Sequence, residues 1–320
     1  MIRILSSADW HINLHKKKVP YDWQFNRYNL MFEKLLSYEK QCDVHVIAGD
    51  LFDDKPSTDE VCLLLSYLNR VTIPTFIIPG NHEATSKGKS FWEHFTHDNA
   101  INNENVKIFT RNSRWEYNGV GFCFFPYGSV QTENTPEYVK NDILVTHIRG
   151  EVPPHISAEF DFERLRAWSL ILLGDLHFNH KYRDYPAYYP GSPLNTTFDR
   201  DDKRKYGVDI IEYNNASDYS VTFHDLKLPK LIRRTVKIGA DLTIGTVDHV
   251  IYEVTGSIDE LGKLEKSDLL DKKMVEKATA DSTLDLSNKS LDEELVIYLN
   301  YIKVANSDAV VQEFKKLNIT

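Results

Sequence analysis

Only three cysteines, Cys42, Cys62 and Cys123, occur in 320 residues, and they are unclustered. Neither a disulfide framework nor a thiolate metal site is expected from so few, and a reducing compartment fits. No apolar run approaches the roughly 20 residues that span a bilayer, so no membrane association is expected. The opening Met1-Ile2-Arg3-Ile4-Leu5 turns polar at once, without the h-region and cleavage site of a signal peptide, and the expected location is the cytoplasm. Glycine (14) and proline (12) are scarce while hydrophobic residues reach 42%, which excludes collagen-like, low-complexity and wholly disordered chains. Positive charge is also short: 38 Lys and Arg face 47 Asp and Glu, a net charge of −9. A protein that coats nucleic acid by bulk charge is excluded, whereas one that uses local basic clusters is not.

What remains fits a globular chain of two domains, at about 150 residues each. Short apolar runs at Ile2–Ser6, Val44–Ala48, Thr75–Ile78, Val106–Phe109, Gly119–Phe125, Ile143–Thr146 and Ser169–Leu173 predict strands. Trp23, Tyr28, Met31, Phe32, Leu35 and Leu36 recur at helical spacing, and Ser57 or Thr58 caps a second helix reaching Leu68. This alternation is that of an α/β domain. After about Asp225 the pattern stops, and Lys227, Lys230, Arg233, Arg234 and Lys237 run without an acid. The domain boundary is placed there, giving 1–225 and 226–320. Thr246–Thr255 alternates as a strand, Ser290-Leu291-Asp292-Glu293 opens a capped helix, and Asp308–Leu317 predicts a last one.

The loops after the strands carry the chemistry. They are Asp9-Trp10-His11, Gly49-Asp50-Leu51-Phe52-Asp53, Gly80-Asn81-His82-Glu83, Thr146-His147 and Gly174-Asp175-Leu176-His177. Open α/β sheets place ligands at the C-terminal ends of their strands. Taken singly, each loop also fits an ordinary turn or a satisfied polar residue. All five following strands in one chain is what points to a site. Asp, Asn and His without Cys suit Mn, Fe, Zn or Mg, and the chemistry implied is metal-assisted hydrolysis.

In order, D-x-H, G-D-x-x-D, G-N-H-E, a strand ending in His, and G-x-x-H resemble the calcineurin-like metallophosphoesterase superfamily. Gly49 to Asp53, Phe125-Pro126-Tyr127, and Tyr189-Pro190-Gly191-Ser192-Pro193 followed by Phe198 are similar, within it, to the SbcD family of DNA-repair nucleases, which includes phage recombination endonuclease subunits. The resemblance covers residues 1 to about 213 well and the C-terminal third only in outline. It implies an α/β fold, a sandwich of two mixed sheets flanked by helices, with a small α+β C-terminal capping domain. It also implies two divalent ions about 3.5 Å apart, Mn²⁺ favoured over Mg²⁺, with Asp50 bridging. Asp9, His11 and His177 would complete one shell, and Asn81, His147 and Asp175 the other. His82 would face the scissile phosphate, with Asp53 beside it in the catalytic set. Glu83 and Asp53 would orient imidazoles. Asp175 departs from the superfamily's usual histidine, and nearby His180 is an alternative ligand.

The same resemblance implies DNA as substrate, cut as an exonuclease on duplex ends and an endonuclease on single strands and hairpins. It implies an SbcC-type coiled-coil ATPase as partner, ATP entering only through that subunit, and a homodimer formed by the helices from Trp23 to Tyr38 and Thr58 to Leu68. The host cytoplasm is the location if the protein is phage-encoded. Lys16, Lys17, Lys18, Lys230, Arg233 and Arg234 are the candidate DNA contacts, with a solvated face as their alternative reading. A phosphatase or cyclic-nucleotide phosphodiesterase, and a scaffold with a degenerate metal site, are the competing functions.

Overall fold

Side chains alternate across a strand, so a run with no polar member must be buried on both faces. The first sheet bears this out. The computed structural model describes residues 1–84, 92, 101–129, 141–151, 156–200, 203–275, 290–304 and 306–316. In it β1 (Ile2–Ser7), β2 (Val44–Ile47), β3 (Thr75–Ile77) and β4 (Val106–Ile108) pair in parallel. An antiparallel hairpin, β11 (Gly207–Asn215) and β12 (Asp218–Asp225), extends the sheet beyond β1. Ile4, Val46 and Phe76 point to one face, while Leu5, Ile47 and Ile77 point to the other.

The second sheet has the order β5 (Ser113–Tyr117), β6 (Val120–Phe125), β7 (Ile143–His147), β8 (Ile171–Gly174), β10 (Ala187–Tyr189), β9 (His180–Lys181). Its strands β6, β7, β8 and β10 are parallel. Phe122, Phe124, Val145 and Leu172 meet Ile4, Val46 and Phe76 in one core between the sheets. The outer face of the first sheet is covered by α1 (Tyr21–Glu39) and α2 (Thr58–Leu68), which bury Met31, Phe32, Leu35, Leu63 and Leu64. Burying each such side chain contributes about 1.5–3 kcal/mol. Ser57 is the cap of α2, in a reciprocal box with Glu60. The result is the mixed-sheet sandwich that the resemblance implied.

A third sheet, β13 (Leu231–Lys237), β14 (His249–Gly256) and β15 (Leu270–Val275), is parallel throughout, with α3 (Ile258–Lys263) crossing between its last two strands. The basic stretch is thus partly a strand: β13 reads as charged because its polar side faces Glu253 and Asp271, to which Arg233 pairs at 3.7 and 2.7 Å. Buried Arg27 of α1 ties this sheet to the sandwich, donating to the carbonyls of Pro229 (2.7 Å) and Asn195 (2.8 Å). The helices α4 (Leu291–Tyr301) and α5 (Ser307–Lys316) follow; Leu317, expected in the last helix, lies outside the described residues. No helix among the described residues is long and apolar enough to cross a membrane.

Candidate metal centre

Parallel pairing sets the C-terminal ends of β1, β2, β3, β7 and β8 along one rim, and the five polar loops converge there. Backbone bonds lock them together: Asp9 N–H donates to Gly49 O and His11 N–H to Asp50 O, each at 3.0 Å. Asp9, His11 and Asp50 all have positive φ (56°, 44° and 54°), an arrangement disfavoured for residues with a Cβ. Glycine is required beside them. A Cβ on Gly80 would lie 2.1 Å from Asp50 Oδ1, and one on Gly49 2.5 Å from His147 Nδ1.

Asp50 is the hub. Its Oδ2 lies 3.4 Å from His147 Nε2, 3.6 Å from His11 Nε2 and 4.0 Å from His82 Nε2. Asp9, His11 and His177 bring one ligand atom each within 4.8 Å of one another, as do Asp9, Asp50 and His147, and His11, Asp53 and His82. Asn81 Oδ1 sits 2.8 Å from His147 Nε2, and Asp175 Oδ1 sits 4.0 Å from it. The rim therefore brings together all nine of Asp9, His11, Asp50, Asp53, Asn81, His82, His147, Asp175 and His177.

The imidazoles are oriented for donation. His147 Nδ1–H donates to the Ala48 carbonyl (2.7 Å) and His177 Nδ1 bonds Thr196 Oγ1 (3.0 Å), so each turns Nε2 to the centre. His82 Nδ1–H donates to the Asp53 carbonyl, an acceptor only, and a proton can be exchanged solely at its Nε2. His11 Nδ1 lies 3.2 Å from Asp53 Oδ1 without hydrogen-bond alignment, and its buried Nε2 has no hydrogen-bond partner. A buried nitrogen left unpaired beside carboxylates is what a cation site requires. With imidazole and oxygen donors and no thiolate, the residues fit a borderline-to-hard divalent ion.

Electrostatics agree. Burial pulls the His147 imidazole down, but Asp50 and Asp9 more than offset it and hold it at about 10. Burial works against the Asp50 carboxylate, yet His147 and His11 keep it well below the usual carboxylate range. Burial raises Asp9 well above that range, and Asp50 and Asp175 add to it. His177 falls to about 4, through burial first and then the neighbouring His11. Such crowding of negative charge in a dry site is relieved by a metal cation.

The outer contacts explain motifs that have no ligand of their own. Ser192 Oγ donates to Asp9 O at 2.6 Å, so the Tyr189–Pro193 segment holds the first loop. The Tyr127 ring meets His147 edge-on at 6.2 Å. Asn13 Nδ2 donates to Asp53 Oδ2 (2.7 Å), and Tyr28 OH to His11 O (2.6 Å). None of these was legible as a site residue, because each acts through a neighbour distant in sequence. Glu83 differs from expectation: it orients backbone rather than an imidazole, accepting from Gly80 N (2.7 Å), Asp50 N and Phe52 N (both 3.0 Å). His180 packs edge-on against Tyr182 at 4.9 Å and belongs to none of the three ligand groups.

The candidate DNA contacts are spread out. Lys16 Nζ lies 3.8 Å from Asp53 Oδ2, and Lys17 is exposed. Lys18 Nζ donates to the Leu270 carbonyl and Lys230 Nζ to that of Arg204 (2.7 Å); Arg234 is exposed.

A sequence model of calcineurin-like phosphoesterases matches residues 2–211. The probable exonuclease subunit 1 of Escherichia phage T5 is 33% identical over 314 residues, which span 94% of this chain and 93% of that protein. Among solved structures, TT1561 of Thermus thermophilus matches with a TM-score of 0.44 at 10% identity, over 71% of this chain and 99% of that one. A predicted phosphoesterase of Streptococcus pneumoniae TIGR4 matches with a TM-score of 0.35 at 13% identity, over 72% and 92%.

Proposed function

The chain belongs to the calcineurin-like phosphoesterase family, and from that premise we propose that it is a metal-dependent DNA nuclease, the nuclease subunit of an SbcCD-like complex. The observation that carries this is the joint one: a rim of Asp, Asn and His donors around Asp50, in a chain that matches a probable exonuclease subunit over 94% of its length. The match runs into the C-terminal third, which carries the third sheet and the terminal helices.

In this reading Asp9, His11 and His177 would hold one divalent ion and Asn81, His147 and Asp175 a second, with Asp50 available to both. Bound Mn²⁺, or Mg²⁺, supplies charge to polarise the phosphodiester and acidify water. Asp53 orients the His11 ring. His82, anchored through Nδ1 and exposed, presents Nε2 to the phosphate and gives a proton to the leaving oxygen. Residues 1–225 form the catalytic domain and 226–320 the cap. Lys16, Lys17 and Arg234 contact phosphate, while Lys18 and Lys230 tie the third sheet to the sandwich and Arg233 pairs within that sheet. Exposed Leu291, Tyr298, Tyr301 and Ile302 offer a face for a coiled-coil ATPase, and exposed Tyr21, Phe25 and Leu30 of α1 one for a second copy.

Incubation with linear duplex and hairpin DNA, with Mn²⁺ and with chelator, beside a small phosphodiester tests the assignment. Mn²⁺-dependent DNA cleavage is expected. Turnover of the small ester alone would reverse it in favour of a small-substrate phosphodiesterase.

A further inference from the structure

Beneath the metal centre lies a chain of polar groups that the proposed chemistry does not use. Glu39 ends α1, His45 lies in β2, Ser7 ends β1, Tyr67 lies in α2, and Trp10 sits between Asp9 and His11. All are at most 1% exposed. Trp10 Nε1–H donates to Ser7 Oγ at 3.1 Å; Ser7 Oγ lies 2.8 Å from His45 Nε2; His45 Nδ1 lies 3.0 Å from Glu39 Oε1. The Tyr67 hydroxyl donates to the same Glu39 oxygen.

The donors set the direction of the chain. An indole N–H can only donate, so Ser7 Oγ accepts from Trp10. The carboxylate of Glu39 accepts from Tyr67 and from His45 Nδ1–H, and the other ring nitrogen, Nε2, meets the Ser7 hydroxyl. The His45 ring thus links Ser7, and through it Trp10, to Glu39. Burying a carboxylate and an imidazole in an apolar layer is costly, and hydrophobic side chains of the same volume would serve packing as well. Packing alone therefore does not explain these groups.

The position of Trp10 does. Its two neighbours, Asp9 and His11, are both in the left-handed region, so the turn does not hold its shape by backbone preference alone. The indole is fixed by its one hydrogen bond and by ring contacts with Tyr67 (5.3 Å, edge-on) and Phe32 (5.9 Å). With Trp10 pinned, its chain neighbours Asp9 and His11 are held with their ligand atoms within 4.8 Å of each other at the rim. We infer that the Trp10–Ser7–His45–Glu39 relay is a positioning network that holds Asp9 and His11 at metal-binding geometry. The inference rests on the metal-centre reading of the preceding section.

The test is titration of the full-length protein with Mn²⁺ alone, followed by calorimetry, well below the unfolding midpoint of each variant. Ser7→Ala, which removes the hydrogen bond and little volume, and Trp10→Phe, which removes it together with part of the indole ring, should weaken Mn²⁺ binding by about tenfold or more. Glu39→Gln, which keeps an oxygen acceptor for His45 and Tyr67, should stay within about threefold of the parent. Unchanged affinity in Ser7→Ala and Trp10→Phe, with only a lowered midpoint, overturns the relay while leaving the metal centre standing. Should Ser7→Ala fail to fold, Trp10→Phe decides alone. If the parent protein binds no Mn²⁺, or Asp50→Ala binds it equally well, the metal-centre reading falls and the inference with it.

Discussion

Asp50 and His147 come from different sheets and meet at 3.4 Å, Oδ2 to Nε2, at the centre of the rim. Asp50 follows β2 and His147 ends β7, so this contact exists only because the sheets pack face to face with their parallel strands' C-terminal ends aligned. Several outcomes depend on that pairing.

Asp50 and His82 separate metal binding from cleavage. Asp50→Ala removes the shared carboxylate and should abolish both Mn²⁺ binding and DNA cleavage. His82→Ala should bind Mn²⁺ nearly as the parent does while cleaving at least about 100-fold more slowly. Calorimetry beside a cleavage assay checks this, and equal metal loss in the two variants sinks the division of roles.

Metal binding should release protons. The carboxylates hold the His147 imidazole protonated up to about pH 10, and a ligand nitrogen must be deprotonated. Mn²⁺ affinity should therefore rise with pH across the neutral range. Titration heats should vary with the ionisation enthalpy of the buffer; heats independent of the buffer would remove His147 from the ligand set.

Gly80 should tolerate no side chain. A Cβ there would meet the Asp50 carboxylate at 2.1 Å and its amide at 2.6 Å, the second being backbone that cannot move aside. Gly80→Ala should lose about 1–3 kcal/mol of stability and most Mn²⁺ binding. Denaturant unfolding measures the first and calorimetry the second, and a parent-like variant contradicts the close approach.

Asp209 should make stability fall with rising pH. Burial pushes its carboxyl up to about 7, against an ordinary value of 3.8, with one hydrogen bond from Asn179 opposing. A raised folded pKa favours the protonated form, so its contribution is full below about pH 4 and lost as pH rises through about 7, on the order of a few kcal/mol in all. Asp209→Asn should raise the thermal midpoint at pH 8 and leave it nearly unchanged at pH 4. The same shift at both values would exclude titration as the cause.

Much of the sandwich was legible in the sequence because its central strands are buried on both faces and read as mostly apolar runs. The hairpin β11–β12 was not, since half of β12 faces solvent and its runs alternate with polar residues. β13 reads as a basic stretch because the partners of Arg233, Glu253 and Asp271, lie on β14 and β15, far along the chain. The ligand candidates stood out because each follows a strand. Ser192, Thr196 and Asn13 did not, because serine, threonine and asparagine are common in loops and carry no spacing rule of their own. Glu83 was visible as a residue but misjudged in its task, since one methylene more than Asp carries its oxygens to the amides of Gly80, Asp50 and Phe52 rather than to a ring.

By itself the sequence pointed to the kind of chemistry: oxygen and imidazole donors without thiolates, placed after strands, suit a borderline-to-hard divalent cation. The tertiary structure alone decided which atoms face one another. Pairing in the sheets aligns the strand ends, packing of the two sheets brings His147 to Asp50, and hydrogen bonds to Ala48, Asp53 and Thr196 choose which nitrogen of His147, His82 and His177 points inward. Those choices are long-range, between residues tens of positions apart, and only the folded chain brings them within hydrogen-bond reach.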